Sequence, residues 1–192
     1  EARSVNEIGH RNIIDIFAFG KLSIGLHYFV MEYLDGRSLQ DELTQLGRPC
    51  SVDEALVYLR PVFSALSAAH QRGIIHRDLK PENIYVIPQE GGEPLIKLLD
   101  FGLAKLASEG GVSFKTRTGG PMGTPYYMAP EQCLGKSVDH RVDIYAAGII
   151  LYQILTGRLP FFAESYLEVL QQQLSAQPVS PAIAPATMPS TS

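Results

Sequence analysis

The sequence has no tryptophan and only two cysteines, Cys50 and Cys133, among its 192 residues. Two cysteines this far apart form neither the dense framework of a small disulfide-rich domain nor the paired spacing of a zinc site, which favours a reducing compartment. Positive charge is also scarce, because 16 lysines and arginines face 20 acidic residues and the net charge is −4. Without a basic cluster, a nucleic-acid partner is not expected.

Long hydrophobic runs are missing as well. The longest run, residues 144–155, is interrupted by Gln153 and is shorter than the roughly 20 residues that a membrane-spanning helix needs. It predicts a buried helix and no membrane segment. With 45% hydrophobic residues, the chain can still bury a core as one globular domain.

Helix and strand signals divide the chain into a short β-rich part and a longer, mainly helical part. Ser38 is placed to cap a helix that stops at Gly47, and Ser51 with Glu54 has the spacing of a capping box before a long amphipathic helix that stops at Gly73. Strands are predicted at 13–19, 26–33, 84–87 and 95–99, and further helices at 143–156 and 163–174.

Three motifs carry most of the functional information. Residues 76–83 read HRDLKPEN, residues 100–102 read DFG, and residues 129–131 read APE. Each short motif alone is a weak signal, because DFG occurs in many ordinary turns and an isolated HRD is usually a run of polar residues on the protein surface. In this order and at these distances they resemble the catalytic loop, the magnesium-binding turn and the end of the activation segment of a protein kinase.

The resemblance implies an α+β fold of the two-lobed protein-kinase type, with a truncated small β lobe and a mainly helical large lobe. Residues 1–31 would be the remnant of the small lobe, comprising the end of helix C and the strands after it. Residues 32–175 would form the hinge and the large catalytic lobe without its last helices. Residues 176–192, rich in Pro, Ser and Ala without periodicity, would be a disordered tail or linker.

The resemblance also assigns catalytic roles. Asp78 would accept or orient the proton of the substrate hydroxyl, Lys80 would lie near the transferred phosphate, and Thr124 would contact both. Asn83 and Asp100 would bind Mg²⁺, which prefers a few oxygen ligands completed by phosphate. A lysine two positions after the catalytic aspartate is typical of the serine/threonine-specific branch, and the run MGTPYYMAPE at 122–131 is similar to bacterial kinases of the eukaryotic-like type.

ATP-binding positions follow from the same comparison. Met31 resembles the gatekeeper residue, and the hinge residues Glu32 and Leu34 would bind adenine through their backbones. Ile84 and Tyr85 would lie beneath the adenine ring, although core packing is the alternative for both. Glu1 resembles the helix C glutamate that pairs with the ATP-anchoring lysine. That lysine and the glycine-rich loop precede this position in the family, so the fragment by itself is expected to have little activity.

A stacked column linking the two lobes is a further implication. Its members here would be Val5, Ile16, His76, Phe101 and Asp143.

Regulation is suggested by Arg77, which would leave a buried positive charge unless an anion such as phosphothreonine docks on it. Thr116 and Thr118 stand where related bacterial kinases carry autophosphorylated threonines. An ordinary flexible polar loop is the alternative. A homodimer, in which two copies phosphorylate each other, is one expected partner arrangement.

Two functions remain open at this point. The first is a serine/threonine kinase that transfers the γ-phosphate of ATP to protein hydroxyls in a Mg²⁺-dependent reaction. Its expected location is the cytoplasm, and a membrane anchor elsewhere in the full-length protein is an option. The second is a truncated kinase or pseudokinase that acts as a non-catalytic protein-binding module. The intact residues Asp78, Lys80, Asn83 and Asp100 favour the first.

Overall fold

The computed structural model describes residues 8–101 and 125–182. Its first sheet is an antiparallel hairpin of β1 (Ile16–Lys21) and β2 (His27–Met31), in which Ile16 pairs with Met31. The hairpin closes at Gly25, whose φ of 87° lies in the left-handed region that glycine tolerates best. Predicted strands at 13–19 and 26–33 are therefore confirmed, with bounds shifted by one to three residues.

The second sheet has three antiparallel strands in the order β3 (Arg37–Ser38), β4 (Ile84–Ile87) and β5 (Leu95–Leu98). Gly36 precedes β3 where the chain passes very close to β4. A Cβ at Gly36 would lie 2.3 Å from the carbonyl oxygen of Val86, so no larger residue fits there without moving one of the two backbones.

Five α-helices occur among the described residues: α1 (Leu39–Leu46), α2 (Val52–His70), α3 (Pro130–Cys133), α4 (Arg141–Thr156) and α5 (Tyr166–Ser175). The predicted caps are confirmed, because Ser38 accepts the Asp41 N–H and the Ser51–Glu54 capping box is complete. Helix α2 ends at His70, before the predicted stop, and α5 begins three residues later than predicted. The late start of α5 follows from Ser165, whose hydroxyl accepts the Glu168 N–H.

The core lies where α2 packs against both β5 and α4. Its completely buried side chains include Leu59 and Leu66 of α2, Ile150 and Ile154 of α4, and Leu98 of β5. The prediction of a buried helix at 143–156 is thus confirmed. The hairpin joins this core through the segment before β1, where the Ile14 N–H donates to the Leu98 carbonyl at 2.9 Å and the Leu98 N–H donates to the Asn12 carbonyl at 2.8 Å. These bonds bring the hinge close to the strand that leads into the DFG motif.

None of the helices in the described part of the chain is both long and apolar enough to cross a membrane. Residues 176–182 contain no helix or strand, and residues 183–192 lie outside the described residues. The division into three segments, 1–31, 32–175 and the tail at 176–192, stays a prediction.

Candidate active site

The catalytic loop brings three of the sequence-predicted residues into direct contact. The Nζ of Lys80 lies 2.9 Å from Oδ2 of Asp78, whose side chain is 52% exposed. The Nδ2 of Asn83 donates to the Asp78 carbonyl at 2.8 Å and to Oδ2 of Asp78 at 3.3 Å. An open carboxylate with a lysine and an amide beside it is therefore available to an incoming hydroxyl.

Local structure explains how Asn83 returns to Asp78 after five residues. The turn Pro81–Asn83 is a 3₁₀ helix that begins with proline, whose fixed φ suits the first position of a helical turn. The Leu99 N–H donates to the Asn83 carbonyl at 2.9 Å, which ties this turn to the residue before Asp100. The two expected Mg²⁺ ligands, Asn83 and Asp100, are thus held on connected segments.

Asp100 follows β5 in a left-handed conformation with φ of 59°. Partial burial raises the pKa of its carboxyl group, and the neighbouring Asp78 adds to the rise, while His76 and Lys80 oppose it. A bound cation reverses this balance by favouring the ionised form.

The donor set fits Mg²⁺. Asn83 is 6% exposed and directs its amide nitrogen to Asp78. Its amide oxygen, which accepts no hydrogen bond from the described residues, is the atom that could bind the ion. Among residues 8–101 and 125–182 no group of three His, Cys, Asp or Glu side chains could hold a metal. Mg²⁺ bound with nucleotide phosphates needs only one or two protein carboxylates or amides.

Asp143 at the start of α4 fixes the backbone before Asp78. It is 1% exposed, and its carboxylate accepts the N–H groups of His76 and Arg77 at 2.9 Å each. The Nε2 of His70 lies 2.6 Å from Oδ2 of Asp143, and this nitrogen must be the donor because a carboxylate only accepts. The catalytic loop is therefore anchored to the buried helix α4.

His76 connects the loop to the DFG motif. Its Nε2 is 2.8 Å from the Leu99 carbonyl, and its ring centroid is 4.7 Å from that of Phe101. Burial lowers the pKa of His76, and its Nδ1 has no hydrogen-bond partner among the described residues. This favours a neutral imidazole with its proton on Nε2, which donates to the Leu99 carbonyl. The structure thus brings together His76, Phe101 and Asp143 of the expected column. Ile16 is buried at 4% exposure, and Val5 lies outside the described residues.

The hinge contains an ion pair that sequence reasoning missed. Lys97 of β5 is 6% exposed, and its Nζ forms a short ion pair with Oε1 of Glu32 and donates to the Ile13 carbonyl at 3.2 Å. The backbone of Glu32 is also engaged, since its N–H donates to the Asp15 carbonyl at 3.0 Å. The hinge is therefore held against β5. No signal in the sequence distinguishes Lys97 from an ordinary exposed strand lysine.

The remaining hinge positions line the same region. Met31 ends β2 and is 41% exposed, and Tyr85 of β4 is half-buried and pairs with Lys97. The N–H of Leu34 has no hydrogen-bond partner among the described residues. The Leu34 N–H, three positions after the exposed Met31, is a backbone donor of the kind that the expected binding of a heterocyclic base needs.

Residues 125–128 are fixed by buried polar side chains that the sequence analysis also missed. Gln173 of α5 is 4% exposed and donates to the Tyr126 carbonyl at 2.7 Å. The hydroxyl of Tyr127 donates to Gln153 at 2.7 Å, and burial raises its pKa. A small pocket lies between this segment and the catalytic loop, and it is lined by Asp78, Tyr127 and Gln132 of α3.

Four expected site residues, Glu1, Thr116, Thr118 and Thr124, lie outside the described residues. Arg77 is exposed, so the expectation that it would carry a buried charge is wrong. Its polar backbone groups, and not its guanidinium, make the contacts seen in this part of the chain.

Comparison with known proteins agrees with the geometry. The family model described as protein kinase domain matches residues 1–190. The chain is 46% identical over 187 residues to serine/threonine-protein kinase Pkn1 of Myxococcus xanthus, covering 97% of this chain and 26% of that protein. It is 42% identical over 179 residues to serine/threonine-protein kinase PkaA of Streptomyces coelicolor, covering 92% and 31%. With serine/threonine-protein kinase PrkC of Bacillus subtilis it shares 38% identity over 177 residues, covering 92% and 26%.

The chain spans about a quarter to a third of the length of these curated relatives. The family implies ATP, a divalent metal ion and protein substrates as general requirements. The matched residues include the catalytic loop, the DFG turn and the APE segment, and the α+β fold agrees with the match. The chain belongs to the protein kinase family and resembles its bacterial serine/threonine members.

Proposed function

We propose that the protein containing this chain transfers the γ-phosphate of ATP to serine or threonine hydroxyls of other proteins. The contact of Asp78 with Lys80 and Asn83 carries the proposal. Phosphoryl transfer depends mainly on positioning and on neutralising phosphate charge. An exposed carboxylate, a cation and an amide oxygen close together supply these requirements.

Each residue has a separate task in this reaction. Asp78 orients the acceptor hydroxyl and takes its proton, and Lys80 holds Asp78 while its positive charge faces the transferred phosphate. Asn83 and Asp100 would hold the Mg²⁺ that neutralises the ATP phosphates. At the other end of the nucleotide, adenine would lie against the hinge at Met31, Glu32 and Leu34, over Tyr85.

The peptide substrate would approach the catalytic carboxylate from the solvent, because the side chain of Asp78 is 52% exposed. Thr124, directly before residues 125–128 in sequence, would contact Asp78 and Lys80 as the family resemblance implies. Glu1 would face the ATP-anchoring lysine of the family.

Regulation by phosphorylation belongs to the same proposal. The exposed guanidinium of Arg77 has no anionic partner among the described residues, so it can receive a phosphothreonine from Thr116 or Thr118. Autophosphorylation between two copies would use a transient homodimer. The need for ATP and the two free cysteines, Cys50 and Cys133, are in keeping with the cytoplasm as the site of action.

The test uses the complete protein, Mg²⁺ and labelled ATP, with the protein itself and a generic basic protein as acceptors. We expect Asp78→Asn to reduce transfer by at least about 100-fold, since removing a positioned general base commonly has effects of this size. Asp53→Asn, at an exposed position in the first turn of α2, is the matched control and should leave transfer unchanged.

Absence of transfer by the folded wild-type protein would refute the proposal in favour of a non-catalytic binding module, and full activity of Asp78→Asn would refute the role of that residue. Mass spectrometry of active protein should find phosphate on Thr116 or Thr118. Finding neither modified would refute the regulatory part.

A further inference from the structure

The backbone at Arg77, directly before Asp78, has an unfavourable conformation. Arg77 has φ of 69°, in the left-handed region that residues with a Cβ adopt rarely. This position directly precedes Asp78. Unless other groups hold it, the backbone would relax toward a commoner conformation and would turn Asp78 with it.

Two side chains hold the polar groups on either side of the Arg77 Cα. Asp143 accepts the Arg77 N–H at 2.9 Å, and the Nε2 of Gln132 donates to the Arg77 carbonyl at 2.9 Å. That carbonyl and the N–H of Asp78 belong to one rigid peptide plane. The Gln132 contact therefore fixes the orientation of the plane attached to the Asp78 Cα.

Gln132 is itself oriented by its other amide atom. Its Oε1 accepts the Ala129 N–H at 3.0 Å, which caps the first turn of α3. One amide group thus accepts from the segment that follows residues 125–128 and donates to the catalytic loop. Only a side chain with both an acceptor and a donor can do this, because a carboxylate cannot donate to a carbonyl and a thioether offers no N–H.

We propose that Gln132 is a positioning residue for Asp78, joining the end of the activation segment to the catalytic loop through the Arg77 carbonyl. This inference rests on the proposed kinase function. Gln132 is half-buried and lines the small pocket beside Asp78. Because its side chain donates to the Arg77 carbonyl, a displacement of residues 125–132 would remove this contact from the catalytic loop.

The capping role and the positioning role can be separated with two substitutions in the complete protein. Gln132→Glu keeps the acceptor for the Ala129 N–H, since glutamate is a normal partner in a helix cap, but it cannot donate to the Arg77 carbonyl. Gln132→Met removes both contacts. Gln45→Met, at an exposed position on α1, makes the same chemical change at a position without such contacts.

We expect both Gln132→Glu and Gln132→Met to lower kcat by roughly 2- to 10-fold, the range for one lost hydrogen bond, with the KM for ATP unchanged. Gln132→Glu should keep the wild-type Tm and Gln45→Met the wild-type kcat. Wild-type kcat for Gln132→Glu with reduced kcat for Gln132→Met would overturn the inference, because capping alone would then explain the residue. A change in the KM for ATP without a change in kcat would also overturn it.

Failure of the proposed function gives a different result. In that case wild-type protein transfers no phosphate and Asp78→Asn changes nothing. With an active wild type, the comparison of the two Gln132 variants decides the inference by itself.

Discussion

Replacing Asp143 by asparagine is the sharpest test of how the fold supports the site. The substitution keeps the size of the side chain and one carbonyl oxygen, but it removes the charge and turns one acceptor into a donor. In the native structure three donors point at this carboxylate, from His70, His76 and Arg77. At least one of the two backbone N–H groups must then face an amide N–H.

The expected loss of unfolding free energy follows from the burial of Asp143. Asp143 is 1% exposed, so water cannot replace a lost bond, and a hydrogen bond to a buried charged group is worth about 1.5–3 kcal/mol. Adding the penalty of about 1–3 kcal/mol for one unsatisfied N–H gives at least about 2.5 kcal/mol of lost unfolding free energy, a large part of the roughly 5–15 kcal/mol of a typical domain. His70 contributes less to this loss, because its other tautomer can accept from the new amide.

Urea unfolding of wild type and variant measures the effect. With a denaturant dependence of about 2–3 kcal/mol per molar urea, the midpoint of Asp143→Asn should fall by about 1–1.5 M. Asp139→Asn is the control, because Asp139 forms an exposed ion pair with Arg141 at 2.8 Å and exposed pairs contribute little. Equal midpoints for the two variants would show that the buried carboxylate does not stabilise the loop.

Two further predictions concern stability. Gly36→Ala should lower Tm clearly, because its Cβ would lie 2.3 Å from the Val86 carbonyl, whereas Gly92→Ala meets nothing within 4 Å and should be tolerated; similar Tm values for both would refute the steric argument. The lowered pKa of His76 predicts that stability falls as pH drops below about 6.5, by at most about 1.4 kcal/mol per pH unit, since the unfolded chain binds a proton that the folded chain excludes. The variant His76→Gln should lack this part of the pH dependence of the unfolding free energy between pH 7 and 5. An unchanged pH dependence would contradict the lowered pKa of His76.

Local features were predictable because their signals are local. The caps at Ser38 and Ser51 depend on residues three positions away, and both formed as the sequence indicated. The start of α5 was predicted too early, although Ser165 and Glu168 have the same spacing and could have located it. The grouping of Asp78, Lys80 and Asn83 was predictable because they lie within six consecutive residues, so one turn brings them together.

The contacts that hold the site in place were not predictable, because they join residues that are far apart in sequence. Lys97 looks like an exposed strand residue, and only the hinge, 65 positions away in sequence, makes it a buried partner of Glu32. Gln132 and Gln173 are ordinary polar helix residues in the sequence. Their donors find carbonyl groups that become neighbours only after the helices have packed.

The catalytic loop and the hinge are held by different contacts, so we expect different mutations to affect each of them. The loop has little regular structure, so its rigidity comes from Asp143 of α4, from Gln132 of α3 and from the Leu99 carbonyl that accepts from His76. The hinge is held instead by Lys97 of β5. Loss of a loop contact should therefore reduce turnover while nucleotide affinity is kept. Loss of the lysine should weaken the hinge and nucleotide binding first, because Asp78 and its neighbours retain all their partners.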